Sequence, residues 1–320
     1  MAILAGIDEA GFGPLLGPLV VSATAFSVEP ALLGADLWQV LGKSVGKSRK
    51  HLAGRLLIAD SKKAYNRSEG LGHLERTSLA VLDCMGKRPA ELAELLWQLC
   101  PDCLPRLAGY PWHQDLQQCG LAAESAERRI ATKVFSEDLR AHGAAMVHLR
   151  TCCLDVAYFN RMVHNVRNKA QVLFIAVTQL IQGVLNEFPG ESSIHIHVDR
   201  QGGRAHYREH LLRSFPDMEL AVVQEDEKCS IYEMHGGPRA VRLTFEVEAD
   251  DRYLPVSLAS MVSKYIRELL MDQMNVYFGK LDAGLRPTAG YWQDGQRFVR
   301  ELRARLPHLA IDDGRLIRCR

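Results

Sequence analysis

The stretch Met1–Pro18, MAILAGIDEAGFGPLLGP, decides the fold. Its apolar run, Ile3-Leu4-Ala5-Gly6-Ile7, reads as a buried strand. The run ends in adjacent carboxylates, Asp8 and Glu9. Gly11, Gly13, Pro14 and Gly17 follow, residues that stop a strand and let a backbone approach something closely. Neighbouring residues of a regular strand point to opposite faces, so both acids serve one site only if the strand ends or twists there. Bare carboxylates at the end of a buried strand cost free energy unless a cation sits between them. The other reading is a strand end whose acids simply reach water.

Gly17–Phe26 is rich in small and β-branched residues and predicts a second strand, hairpinned onto the first. Residues 29–42 read as a short helix or loop around Trp38. Residues 43–67 carry Lys43, Lys47, Arg49, Lys50, Arg55, Lys62, Lys63 and Arg67 against the single acid Asp60, a segment suited to phosphates. Helical spacing marks 69–84 and 156–188, the latter as one helix or a pair. Pro89–Leu99 predicts a helix with Pro89 in its first turn, and Ser125 should cap a helix to His142. Cys100-Pro101-Asp102-Cys103 could bind zinc or do redox chemistry; without a second C-x-x-C, buried or idle cysteines are the expectation.

Met146–Leu154 reads as a strand or edge segment. Ser193–Asp199, SIHIHVD, alternates, with His195, His197 and Asp199 on one face. The histidines are expected to be structural, since hard cations prefer oxygen. Arg200, Gly202, Gly203 and Arg204 follow as a basic turn suited to a phosphate. Glu219–Gln224 predicts another strand. Cys229–Asp250 predicts a hairpin turning at Gly236-Gly237-Pro238, its second arm ending with Glu246, Glu248 and Asp250 on one face. Val256–Tyr277 predicts a helix whose Ser257, Ala259 and Ser260 allow close packing on the sheet.

At 320 residues and 47% hydrophobic, the chain can bury a substantial core. We expect one domain over 1–320, with a mainly helical insertion at 86–150. Lys plus Arg number 39 against 38 Asp plus Glu, so any nucleic-acid site is a local patch rather than a whole basic surface. No stretch has transmembrane length, and Asp8 interrupts any signal-peptide pattern. Eight cysteines without regular spacing fit a reducing cytoplasm.

Several stretches together resemble one known family. GIDEAGFGPLLGPLVV resembles the opening motif of the type 2 ribonucleases H, the ribonuclease HII and HIII group. Asp60-Ser61-Lys62-Lys63 resembles its Asp-Ser-Lys-Lys element. Val198-Asp199 stands where the family has its third carboxylate. Asp250-Asp251-Arg252-Tyr253, followed by Val256–Lys264, resembles its final acid and Ala-Ala-Ser-Ile-x-Ala-Lys helix, and Arg267-Glu268 sits where the family has Arg-Asp. The resemblance implies an α/β, ribonuclease H-like mixed sheet flanked by helices, to which the hairpin is an addition. It implies endonucleolytic hydrolysis of the RNA strand of RNA–DNA hybrids, with two divalent ions, Mg2+ or Mn2+. The chain is expected to be a cytoplasmic monomer that binds nucleic acid and no membrane.

Phosphodiester hydrolysis by two metals about 3.5–4 Å apart needs three or four carboxylates converging from distant parts of the chain. Asp8, Glu9, Asp199 and Asp250 fit, each at or after a predicted strand end, with Glu248 and Asp251 as alternatives for the fourth place. The resemblance assigns the same four as catalytic metal ligands. As substrate-binding residues it implies Gly11, Phe12 and Gly13, Ser61, Lys62 and Lys63, Ser260 and Lys264, and Tyr291 from a Gly-Tyr element; the basic turn adds Arg200 and Arg204. The chain departs from ribonuclease HII at Phe12, where that group has the arginine of Gly-Arg-Gly. It departs from ribonuclease HIII in having Asp250 rather than Glu, and no room for an extra domain before residue 3.

Overall fold

The opening apolar run forms strand β1 (Ala2–Ala10), which hairpins into β2 (Leu19–Val28). The computed structural model describes residues 1–66, 70–121, 125–237 and 239–319; Arg67, Pro238 and the first residue of the helix expected over 69–84 lie outside them. The further strands are β3 (Val45–Gly46), β4 (Leu56–Leu57), β5 (Ala144–Leu154), β6 (Ser193–Asp199), β7 (Glu219–Glu225), β8 (Cys229–Gly236) and β9 (Arg239–Glu246). Among the described residues, seven of the nine strands make one mixed sheet in the order β5-β2-β1-β6-β9-β8-β7, and β3 and β4 pair separately. β1 is antiparallel to β2 but parallel to β6, and β6 is parallel to β9.

The helices are α1 (Leu37–Val40), α2 (Ser61–Ala64), α3 (Gly72–Cys84), α4 (Leu92–Leu99), α5 (Leu104–Leu107), α6 (Ala126–Ala141), α7 (Val156–Val166), α8 (Lys169–Glu187), α9 (Arg208–Ser214), α10 (Ala249–Arg252), α11 (Leu254–Leu281), α12 (Trp292–Arg305) and α13 (Asp313–Leu316). They cover both faces of the sheet. Leu4, Val20 and Phe26 share a core with Leu258, Met261 and Tyr265 of α11 and with α3, α4 and α6. Ile3, Ala5 and Ile7, of the opposite parity, pack with Phe159 of α7 and Leu173, Val177 and Ile181 of α8. Burial on both faces explains why β1 reads as an unbroken apolar run. The mixed, helix-flanked sheet is the fold class expected.

One contact sets how closely α11 lies on the sheet. A Cβ at Gly6 would run into the backbone of Pro255 and Val256, so the side-chain-free position lets the start of α11 cross β1. The small faces of Ser257, Ala259, Ser260 and Ser263 continue this approach, and all four are buried.

Four local expectations need correction. β1 does not stop at its acids; it runs on to Ala10, because Asp8, Glu9 and Ala10 keep their pairing with Ser22, Val21 and Val20. Pro89 is not in the first turn of α4, which starts at Leu92: residues 90–91 are held extended by Leu121 N–H to Ala90 O (2.9 Å) and a Glu91–Gly120 bridge. The second hairpin arm stops at Glu246, so Glu248 and Asp250 do not extend its face. Glu248 takes a left-handed backbone (φ 56°) and Asp250 falls in the short helix α10. The tract expected to be helical over 86–150 is so only to Ala141, since Ala144 onward is the sheet edge β5, paired along β2.

The remaining elements follow the patterning closely. Ser125 accepts from Arg128 N–H (3.1 Å) at the start of α6. The 156–188 periodicity splits into α7 and α8 at Arg167, whose φ is 52°, and Asn168 caps α8. Cys100 and Cys103 are buried, with their Sγ atoms 3.6 Å apart, and every cysteine is a free thiol. No helix among the described residues is long and apolar enough to cross a membrane.

Candidate active site

The strand order reverses direction between β1 and β6: the chain leaves β1 toward β2 and later returns to β6 on the other side. In open α/β sheets the crevice beyond the carboxyl ends of strands at such a point is where ligands bind. Ile7 pairs with Val198, which sets Asp8 beside Asp199 at that crevice. Asp199 is itself paired with Glu246 at the end of β9, and α10, carrying Asp250, follows at once. Three distant stretches thus deliver acids to one end of the sheet.

Asp8 lies on the α11 face, where it is only 7% exposed. Its backbone oxygen accepts from Ser263 Oγ (3.0 Å), and its carboxyl accepts from the amide of Glu9 (2.7 Å). Asp199 accepts from the amide of Ala249 (2.9 Å). Each of the four carboxyls is held above its ordinary range. For Asp8 the causes are burial, then the charges of Glu9, Asp199 and Asp250, partly offset by a hydrogen bond from Ser260. Burial and the Asp199 charge push Glu9 up to about 7. Burial, Asp199 and Asp60 push Asp250 up to about 7, and burial raises Asp199. Glu9 lies on the opposite strand face from Asp8, yet the charge of Asp199 acts on both.

The Lys62 ammonium eases the repulsion and acts on Glu9, Asp199 and Asp250. Lys63 is bonded instead to both oxygens of Asp251 (2.7 Å), so that carboxylate already has a cation. Glu248 is exposed. Of the three candidates for the fourth place, Asp250 is the one whose charge bears on Asp8. Ser61 accepts from Ser260 Oγ (3.0 Å), tying α2 to α11 under this group.

Three neighbours that the sequence reading named but gave no place among the ligands also stand here. Asp60 caps α2 (2.9 Å to Lys62 N–H) and adds its charge to Asp199 and Asp250; its signal was being the one acid in a basic tract. Glu246 sits level with Asp199 but is taken by Tyr253 Oη (2.7 Å) and Arg252. His197 stacks on Tyr253 with centroids 3.7 Å apart, and burial pulls its pKa down to about 3, so it stays neutral within the fold.

The remaining predicted contacts fall into two groups. On one side stand Lys264, Tyr291 and the glycine turn. Lys264 pairs with Glu268 (2.9 Å), and its Nζ is 5.8 Å from the ring of Tyr291, which is half exposed. Gly11 has φ 93°, and a Cβ there would meet the buried Arg267 side chain at 2.6 Å. The amides of Leu15 and Leu16 bond Gly290 O (2.8 and 3.1 Å), fixing Tyr291 next to the turn. Phe12 and Gly13 remain partly open. On the other side, Arg200 folds back onto Arg204 O (3.0 Å), and Arg204 lies over Phe174 (5.0 Å) and Tyr207. Both arginines of the basic turn are therefore engaged within the protein.

Among the described residues, no group of three His, Cys, Asp or Glu side chains is arranged to hold a metal ion. The donor set itself, carboxylates only, suits a hard divalent cation. Uncompensated charge among buried acids is also what such a cation would neutralise.

No family model matches this sequence, and no curated protein matches it. Among solved structures the chain is similar to ribonuclease HII of Archaeoglobus fulgidus in its complex with PCNA, at 16% identity and a TM-score of 0.46, covering 99% of this chain and 94% of that one. It is similar to ribonuclease H2 of Pyrococcus horikoshii OT3 at 14% identity and a TM-score of 0.40, covering 98% and 92%. The Bst ribonuclease HIII complex with Mn2+ gives 15% identity and a TM-score of 0.39, covering 93% and 62%.

Proposed function

We propose that this chain is a divergent type 2 ribonuclease H, a metal-dependent endonuclease that hydrolyses the RNA strand of RNA–DNA hybrids. One observation carries the reading: Asp8, Glu9, Asp199 and Asp250, drawn from three distant stretches, stand at the reversal point of the sheet, where burial, and for Asp8, Glu9 and Asp250 also the charge of Asp199, holds their carboxyls above the ordinary range. A cluster built against its own electrostatics calls for a cation.

Asp8, Glu9, Asp199 and Asp250 would hold two Mg2+ or Mn2+ ions, closing on them from their present spacing. Bound there, divalent ions activate a water and stabilise the leaving oxygen. Around them, Lys62 offers a cation to a phosphate at the mouth of the crevice, and Ser61, Ser260 and Lys264 shape its floor. The amides and carbonyls of Gly11, Phe12 and Gly13 present backbone donors and acceptors, the groups able to read a ribose 2′-hydroxyl. Tyr291, held beside them, offers a ring to the sugar at the cleaved position. The partner in this reading is the hybrid duplex, bound by one copy of the chain.

Phe12 favours a second reading, a protein that binds hybrids with little turnover, because it replaces a cation in the turn that reads the substrate. The test is a labelled hybrid incubated with magnesium or manganese. Cutting by wild type and its loss in Asp8→Asn support the nuclease. Equal cutting by both removes it, and metal-independent binding without cutting supports the second reading. Parallel assays on double-stranded RNA and on a duplex with one ribonucleotide define the substrate.

A further inference from the structure

Against the glycine turn lies a cavity of about 350 Å3 that the reading above does not use. Among the described residues its wall carries two cations, Lys169 and Arg318, three rings, Phe12, Phe159 and Trp292, and no carboxylate side chain. The volume is within the ~300–1,000 Å3 range of small-ligand pockets. The two cations come from distant parts of the chain. Lys169 is the first residue of α8, exposed, with Nζ 5.3 Å from the ring centroid of Phe12. Arg318 follows α13 and is only 3% exposed.

Arg318 is an unusual buried cation. Its Nε donates to Pro14 O (3.0 Å) and its Nη2 to Pro14 O and Phe12 O, while its guanidinium lies 4.8 Å from the centroid of Phe159. Among the described residues its Nη1 has no hydrogen-bond partner and no carboxylate pairs with it. Burial, then the Arg267 charge, pulls its pKa down to about 9. A buried arginine normally has an anion, because taking the charge out of water is costly. Here the protein supplies carbonyl dipoles and one open donor. The wall also includes the first residues of α8 and α12, ends where the helix dipole favours negative charge.

We propose that this cavity is a nucleotide subsite, with a phosphate between Lys169 and Arg318 and its base against the adjoining rings. What selects this ligand over a bare anion is the set of rings, since aromatic faces stack on bases of any sequence; the unpartnered Nη1 of Arg318 supplies a single charge-assisted donor to a phosphate oxygen. The proposal rests on the nucleic-acid reading of the neighbouring crevice. The occupant is a nucleotide of the strand passing over Gly11-Phe12-Gly13; a free mononucleotide presents the same chemistry.

Lys169→Gln tests this, because the exposed side chain can be changed without opening the core. Binding of a labelled hybrid and of AMP is measured in EDTA over a salt series for wild type, Lys169→Gln and the surface control Lys133→Gln. The expected result is a three- to tenfold weaker hybrid affinity in Lys169→Gln alone, with the salt slope shallower by about 0.9. Loss of AMP binding in Lys169→Gln with unchanged hybrid affinity would assign the cavity to a free nucleotide and overturn the strand as occupant. Wild-type affinities for both ligands in Lys169→Gln overturn the subsite. Failure of the nuclease reading shows separately, as no cutting by wild type with magnesium, which the metal-free binding series does not measure.

Discussion

Helix α11 lies against two sets of buried or half-buried acids, one near its start and one at its middle, and they have opposite fates. Near its start, Asp8, Glu9, Asp199 and Asp250 repel one another and are held toward their protonated forms. Within the helix, Glu268 is as buried as Asp8 yet is ionised more readily than usual. Burial opposes this, but Lys264, Arg267 and the hydroxyl of Tyr65 (3.1 Å) outweigh it. Arg267, fully buried, gives its other bonds to Leu16 O and Ala289 O, bracing the glycine turn and the Tyr291 segment. One acid is completed by the protein; the other four are left incomplete. The difference separates a structural ion network from a site awaiting a ligand, which burial alone does not.

The sharpest way to break the contrast is to neutralise one member of each group. Asp8→Asn is expected to lower cleavage of a hybrid by on the order of 10³-fold in single-turnover assays with magnesium. The same change should raise metal-free stability by about 1 kcal/mol in urea melts, because it removes repulsion. Glu268→Gln should do the reverse and cost about 3 kcal/mol, since Arg267 would keep a buried charge without its carboxylate. If Glu268→Gln melts like wild type, the two groups are not energetically distinct.

Gly6→Ala probes the packing both groups share. The added methyl pushes α11 away from β1, and the expected loss is about 2 kcal/mol, read by thermal or urea unfolding. A neutral result would mean that α11 can shift without strain. The smallest expected effect is in pH. Between the ordinary carboxyl pKa near 4 and the raised values of about 7 for Glu9 and Asp250, the folded chain binds more protons than the unfolded one. Stability in EDTA should therefore fall by about 1 kcal/mol as pH rises through that window. Glu268 works in the other direction, adding stability above its ordinary value that is lost only in acid. Magnesium at pH 8 should restore what the four acids lose, and a flat pH profile from 5 to 8 in EDTA would contradict their coupling.

Much of this was legible along the chain because the signals were local. The unbroken apolar run into Asp8 and Glu9, the alternation of Ser193–Asp199 and the small residues at the start of α11 each encode their own element. The candidate acids could be singled out for a related reason, since each was expected at or just after a strand end; Asp8 and Glu9 fall within the last residues of β1, Asp199 closes β6 and Asp250 lies in α10 just beyond β9. What could not be read was contact between distant stretches. Phe12 reads as a lost charge, but the fold brings Lys169 beside its ring and Arg318 to its carbonyl, across 306 residues of sequence. No periodicity marks Arg318 for that place. The split between Lys62, which faces the four acids, and Lys63, which is paired with Asp251, was equally hidden, because it depends on how a one-turn helix meets α10.

The parallel pairing of β1 with β6 has a consequence for when the candidate site is assembled. Ile3 must wait for Ile194 and Ile7 for Val198, so the central pair of the sheet closes a loop of most of the polypeptide. Loop closure on this scale makes folding slow and postpones it until late in synthesis. A nascent chain that has exposed Asp8 and Glu9 has no third or fourth acid to join them. The four acids would thus come together only once most of the chain has been made, and under the proposed reading any cutting would wait for that moment.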